Sequence, residues 1–357
     1  MQNTATWREQ VMFKFQWPLG WKIDIPFMLL PNLIAFVLYL ALVNNPFWMD
    51  NFTRLVMIVY AGNVIHQGAT WFHFFDKRNS DYYFGSPYRN MQFAIIPPVI
   101  LLLSLAAGYV YPQLVMLVYM CWTVPHFVQQ NVGILMLYHN HGQNEAIVSR
   151  NLEVRSQQVA GLFFSMLMID RLSLHETAVG PLWTALIAAV FVILAVMVFA
   201  YFMQLFSQVR KGAYINVPAL LFWLASILFF VPFAYMGKQF LVAAVVPSLL
   251  HFIQYIALHY VLVKRKYADG DRKVDIPTAN PMLFLVCLIG AVFLVQYGSY
   301  LVANLCVTDA KALSFLTCGF LGLGMVHYWI DGLIWKFRDP FIRNNTLPFI
   351  VRPKTAA

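Results

Sequence analysis

Apolar residues fall in long continuous runs along this chain, separated by short polar stretches. Ten such runs can be drawn, near residues 26–43, 53–76, 91–111, 113–138, 156–172, 181–208, 217–236, 239–263, 281–304 and 312–336. Most are about 20 residues long, the length that spans a bilayer core as a helix. The pattern predicts an all-α, polytopic bundle of about ten transmembrane helices. The fifth run has the shortest apolar core, Val159 to Ile169, and can also be drawn as a surface or re-entrant segment. Pro97, Pro98, Pro125, Pro232, Pro247, Gly322 and Gly324 lie inside runs. Membrane helices tolerate them because neighbours and water satisfy the freed carbonyls.

Composition sharpens this picture. Of 357 residues, 61% are hydrophobic and 11% charged, against about 25% charged in a soluble protein. No soluble domain stands apart, so residues 1–357 read as a single transmembrane domain. The first 25 residues lack a small-residue cleavage site, and the first run is expected to stay in the protein.

Charge sets the orientation. With ten spans and a cytoplasmic N-terminus, only Arg54, Arg171, Lys238 and Lys311 of the 24 basic residues lie outside. If the fifth run does not cross, later loops flip and the split becomes 11 inside to 13 outside. The positive-inside rule prefers the first arrangement, with both termini cytoplasmic. The net charge of +9 is then a loop property. No basic run interleaved with aromatics suggests a nucleic-acid surface, so the expected partners are the lipid bilayer and a small molecule.

Candidate chemistry lies in the histidines. His175 falls in an outside loop, and the other eight fall on or just after four runs. Counting about 1.5 Å per residue from the cytoplasmic ends gives two layers. His66, His126, His251 and His327 lie about 14–18 Å deep, and His73, His139, His141 and His259 within about 6 Å of the boundary. His66 and His73 share a helix face, and His251, Tyr255 and His259 form a stripe. Ionisable side chains within a membrane need partners, and imidazole is the commonest metal ligand. His66, His73, His126, His251, His259 and His327 are therefore candidate metal ligands, with His139 and His141 as further ones. The competing reading is that each histidine separately hydrogen-bonds a neighbouring helix.

Two strings resemble one another, His126-Phe127-Val128-Gln129 and His251-Phe252-Ile253-Gln254, each shortly after a proline. Gln129, Gln254 and Tyr255 are candidates for orienting a ligand. Asp331 is the one carboxylate well inside a run, four residues after His327. It reads as a catalytic or ligand-tuning group, or as an ion pair with Lys336. Other chemistries lack their residues. The runs hold no Glu-x-x-His pair for a di-iron carboxylate bundle and no His-Glu-x-x-His. Gly-x-Ser-x-Gly, a phosphate loop, adjacent His-His boxes and a second aspartate well inside a run are likewise absent. Cys121, Cys287, Cys306 and Cys318 have no Cys-x-x-Cys spacing.

Val124-Pro125-His126-Phe127 and Val326-His327-Tyr328-x-x-Asp331 resemble strings of the bacterial Brp/Blh carotene dioxygenases. The His-Gly-Ala-Leu-Asp string associated with that family is replaced here by His66-Gln67-Gly68 at the nearest point. The resemblance implies a membrane enzyme that holds non-haem iron with histidines. It also implies dioxygen as co-substrate and oxidation of a hydrophobic lipid or isoprenoid. Haem between two axial histidines, giving an electron-transfer protein, and a transporter of metal ions or a polar solute are the alternatives.

Overall fold

A computed structural model describes residues 13–45, 47, 52–139, 145–170, 180–231, 240–268 and 275–351. His141, His175 and Lys238 lie outside the described residues. Helices dominate: α1 (Leu30–Val43), α2 (Phe52–Trp71), α3 (Lys77–Phe84), α4 (Pro87–Val110), α5 (Pro112–Tyr138) and α6 (Arg150–Ile169). They continue with α7 (Gly180–Arg210), α8 (Val217–Leu228), α9 (Phe240–Lys266), α10 (Pro281–Cys306), α11 (Ala310–Ile334) and α12 (Pro340–Ile350). Two short parallel strands pair Phe13 with Ile215 and Lys14 with Asn216.

Each of the ten apolar runs overlaps a described helix. Four described helices are long and apolar enough to cross a membrane: α4, α7, α10 and α11, which marks the chain as a membrane protein. Several of the rest contain polar residues within their apolar stretch. Helix α2 holds Asn63, His66, Gln67 and Thr70, and α5 holds His126, Gln129, Gln130 and Asn131. The residues that lower the hydropathy of α2, α5 and α9 include the candidate ligands themselves. Helix α7 is the opposite case, with Phe191, Val192, Val196 and Phe199 all exposed, an apolar face suited to lipid.

The chain groups into two compact units. One holds residues 1–50, 127–250 and 351–357. In its core the indole of Trp223 stacks on Tyr201, 3.6 Å between centroids, and donates to Ser156 Oγ at 3.0 Å. Asp24 is buried and collects backbone N–H groups of Leu19 and Gly20 and the Tyr138 hydroxyl, at 2.9–3.0 Å. That satisfies a carboxylate that would otherwise be costly to bury.

The other unit holds residues 51–126 and 251–350. Helices α4 and α11 approach closely along a seam of small residues. A Cβ on Gly108 would lie 2.3 Å from Cys318 Cβ, and one on Gly322 would lie 2.8 Å from Ser104 Cβ. Such seams let membrane helices gain dispersion contacts where the hydrophobic effect between them is absent. Helix α2 crosses α10 at Gly68, where an added Cβ would sit 3.0 Å from Ile289 Cα. Beside it, Gln296 donates to the side-chain carbonyl of Gln67 at 3.1 Å. Asp76 caps α3 through Asn79 N at 3.1 Å and also receives Lys266 Nζ at 2.6 Å and the Tyr267 hydroxyl.

A candidate metal centre

Helical periodicity builds the site. Residues four apart stack on one face, and three such stripes meet: His66 and Thr70 on α2, His251 and Tyr255 on α9, and His327, Asp331 and Trp335 ending α11. Helix α5 adds His126, one residue after Pro125. Proline removes a backbone donor and crowds the preceding turn, which bends helices. His66, His126, His251, His327 and Asp331 are all buried.

His66 and His327 bring their Nε2 atoms within 3.1 Å, and so do His126 and His251. The pairs adjoin, with ring centroids 4.8 Å apart for His66 and His251 and 5.3 Å for His126 and His327. Asp331 Oδ2 lies 3.4 Å from His327 Nε2. Ligand atoms of His66, His126, His327 and Asp331 all lie within 4.8 Å of one another, so this buried group can hold a metal ion. Two nitrogens about 2.0–2.1 Å from a common ion are separated by about 2.9–3.4 Å across cis or tetrahedral angles, a range that includes 3.1 Å.

An N–H···N hydrogen bond has a similar length, so the hydrogens decide. Thr70 Oγ1 lies 2.6 Å from the Tyr255 hydroxyl and 2.8 Å from His327 Nδ1, and Tyr255 donates to Asp331 Oδ1 at 2.6 Å. These three short contacts share two hydroxyl hydrogens. With Asp331 ionised, the third hydrogen comes from His327, which carries it on Nδ1 and donates to Thr70. Its Nε2 is then a bare lone pair, facing both His66 and the carboxylate oxygen of Asp331. A lone pair 3.4 Å from a carboxylate oxygen is repulsive unless a cation or proton lies near both. A hydrogen bond that fixes the far nitrogen of an imidazole is the usual way ligating histidines are oriented. His66 is held differently. Its ring packs against Phe252 and Tyr255, with centroids 4.9 and 4.3 Å apart.

Tyr328 stacks on His126 with centroids 4.3 Å apart. Thr123 donates its hydrogen to the Tyr119 carbonyl at 2.8 Å, which leaves its oxygen to accept the Tyr328 hydroxyl at 3.0 Å. Cysteine sulfur contributes nothing to the group, and the four cysteines are free. The donors are nitrogen and oxygen only.

Other sequence candidates are placed elsewhere. His73 and His259 form their own pair, Nε2 to Nε2 at 3.1 Å. His139 belongs to the first unit, hydrogen-bonded through Nδ1 to Glu145 at 3.0 Å with Glu153 3.1 Å from Nε2. Burial alone would lower the His139 pKa, but the two carboxylates overcome it and hold it at about 9. His139 is thus a cation at neutral pH, unsuited to ligation, which needs the neutral ring. Gln129 is exposed and so is not positioned to orient a buried imidazole, whereas Gln254 is fully buried. The carboxylate of Asp331 faces Tyr255, Thr70 and His327 rather than Lys336, which is exposed.

Sequence reasoning missed Thr70, Tyr328, Glu145 and Glu153. Thr70 left a readable signal: it is a hydroxyl four residues after His66 and three before His73, on the face they share. The glutamates left none, because Glu145 sits in a bridge beside Tyr214 and Glu153 in the first turn of α6, and only the fold brings both to one ring.

Comparison of the chain with protein-family models, curated proteins and solved structures gives no match.

Proposed function

We propose that this chain is a membrane-embedded, metal-dependent oxygenase. Its metal is non-haem iron, and its substrate is a hydrophobic lipid or isoprenoid taken from the bilayer. The observation that carries the reading is the placement of His327, contacted at Nδ1 by Thr70 and with its Nε2 between a second imidazole and the Asp331 carboxylate. Histidines plus one carboxylate, with positions left open, are the donor set of non-haem Fe(II) oxygenases. His66, His126, His251 and His327 would hold the ion, and Asp331 would complete or tune the set. Bound iron would supply dioxygen activation. The surrounding residues exclude water: Phe252, Tyr255 and Tyr328 cover the rings. A dry pocket protects a reactive centre from side reactions.

The contacts favour this over a bis-histidine haem. Axial ligands face each other across a porphyrin, whereas here the Nε2 edges touch in pairs at 3.1 Å. The resemblance to the Brp/Blh dioxygenases makes β-carotene the first substrate to try. Ten spans, both termini in the cytoplasm and the bacterial inner membrane complete the proposal, supported by the lopsided placement of Lys and Arg.

The test is oxygen uptake by detergent-purified, iron-loaded protein given β-carotene and other isoprenoids under ¹⁸O₂. Label in a cleaved or hydroxylated product is the expected result. Metal-loaded protein that neither consumes oxygen nor labels any lipid would defeat the oxygenase reading.

A further inference from the structure

We propose that His73 and His259 form a second transition-metal position, distinct from the deep cluster and weaker than it. The proposal extends the reading of the deep cluster as a metal centre and rests on it.

His73 lies in the 3₁₀ turn Phe72–Phe75 that ends α2, and His259 lies two turns beyond His251 on α9. Both are buried, and their Nε2 atoms are 3.1 Å apart. His259 Nδ1 is 3.0 Å from the backbone carbonyl of Tyr255. A carbonyl only accepts, so Nδ1 carries the hydrogen and the neutral ring turns a bare Nε2 toward His73. That is the orientation second-sphere partners give to ligating histidines. Trp335 sets its ring nearly perpendicular to both imidazoles at 5.6 and 5.3 Å.

Tyr255 links the two positions. Its backbone carbonyl orients His259, its hydroxyl donates to Asp331, and its ring packs against both His259 and His66, at 4.2 and 4.3 Å. The nearby carboxylate Asp76 is taken by Lys266 and Tyr267. The protein therefore offers this position two imidazoles, which suit iron, copper, nickel or zinc, with water or a substrate oxygen completing the shell. Fewer protein ligands make it the more easily emptied of the two. Copper, nickel and zinc would all serve as ligand probes; Co(II) is chosen because its bands report geometry.

The experiment is Co(II) titration of the full-length, metal-stripped protein in detergent, read by bound cobalt per chain and by the visible cobalt bands. Wild type should bind two equivalents, the second more weakly. His73→Ala with His259→Ala should bind one, and His66→Ala with His327→Ala should lose the tighter one. If an alanine pair aggregates on gel filtration, His259→Gln replaces it, with one equivalent again expected. One equivalent in both wild type and the His73/His259 variant would overturn the second position and leave the first intact: the pair is then a plain N–H···N bond. Two equivalents retained in that variant would also overturn it. No cobalt bound to wild type would defeat the deep centre as well.

Discussion

Histidines in the two units show how neighbours decide what an imidazole is for. In the unit that holds residues 51–126 and 251–350, imidazole meets imidazole edge to edge, and the adjoining carboxylate, Asp331, already accepts from Tyr255. In the other unit His139 meets two carboxylates, Glu145 and Glu153, and becomes their counter-ion. The residue type is the same, and His139 is partly exposed where the other four are buried. What differs is the charge of the partners, and with it the form that is stable: a neutral donor of lone pairs in one place, a cation in the other.

Breaking each side of this comparison should give unlike losses. The largest is expected for His126→Ala combined with His251→Ala, which should lose the deep metal altogether while the protein remains folded. Metal content after gel filtration measures it. A double variant with full metal content would make these histidines interhelical hydrogen-bonding groups.

On the charged side, His139→Ala leaves two buried glutamates without their cation and should cost about 3–5 kcal/mol of stability, with metal content unchanged. The pH dependence has a definite sign. The folded-state pKa of His139, about 9, lies above the ordinary value of about 6.5. Its contribution is therefore fully present below about pH 6.5 and is lost as pH rises through about 9. Thermal unfolding from pH 6 to 10 should show that decline in wild type and a flatter profile in the variant. Identical profiles would mean that His139 is not held as a cation.

Thr70→Val sharpens the metal side, because it keeps shape and removes the acceptor for His327 Nδ1. Metal affinity should fall about 10–100-fold, the usual cost of losing an orienting partner. Asp331→Asn should lower activity more than folding, since the amide keeps the shape and relieves a buried charge. Competition with a chelator reads the first effect; an unchanged affinity would show that the His327 tautomer is set by something else.

The smallest effects concern the two similar strings. Gln254 is buried, so Gln254→Ala should cost about 1–3 kcal/mol. Gln129 is exposed, and Gln129→Ala should stay within about 0.5 kcal/mol. Equal effects in thermal unfolding would restore the equivalence that the sequence suggests.

Those strings mark where sequence reading stops. Helices and the candidate histidines were legible, because apolar run length and a spacing of four are one-dimensional signals. Counting residues along four runs put His66, His126, His251 and His327 at one depth, and they are neighbours in the structure. The same counting grouped His73 and His259 with His139, which lies against glutamates instead. Depth says nothing of azimuth, and azimuth decides whether Gln129 is exposed or Gln254 buried. Nor does it foresee that Glu145 and Glu153 meet one imidazole. The count of spans was obscured in part by the site itself, since helices α2 and α5 carry its polar residues where an exposed helix such as α7 carries phenylalanine and valine.

X-ray absorption at the metal edge of the purified protein tests the central claim most directly. A metal with only nitrogen and oxygen neighbours, at about 2.0–2.2 Å, and with the outer-shell scattering of several imidazoles is the expected result. That signal should vanish in the His126→Ala, His251→Ala variant. A metal-free protein, sulfur in the inner shell, or a spectrum unchanged in the variant would contradict it.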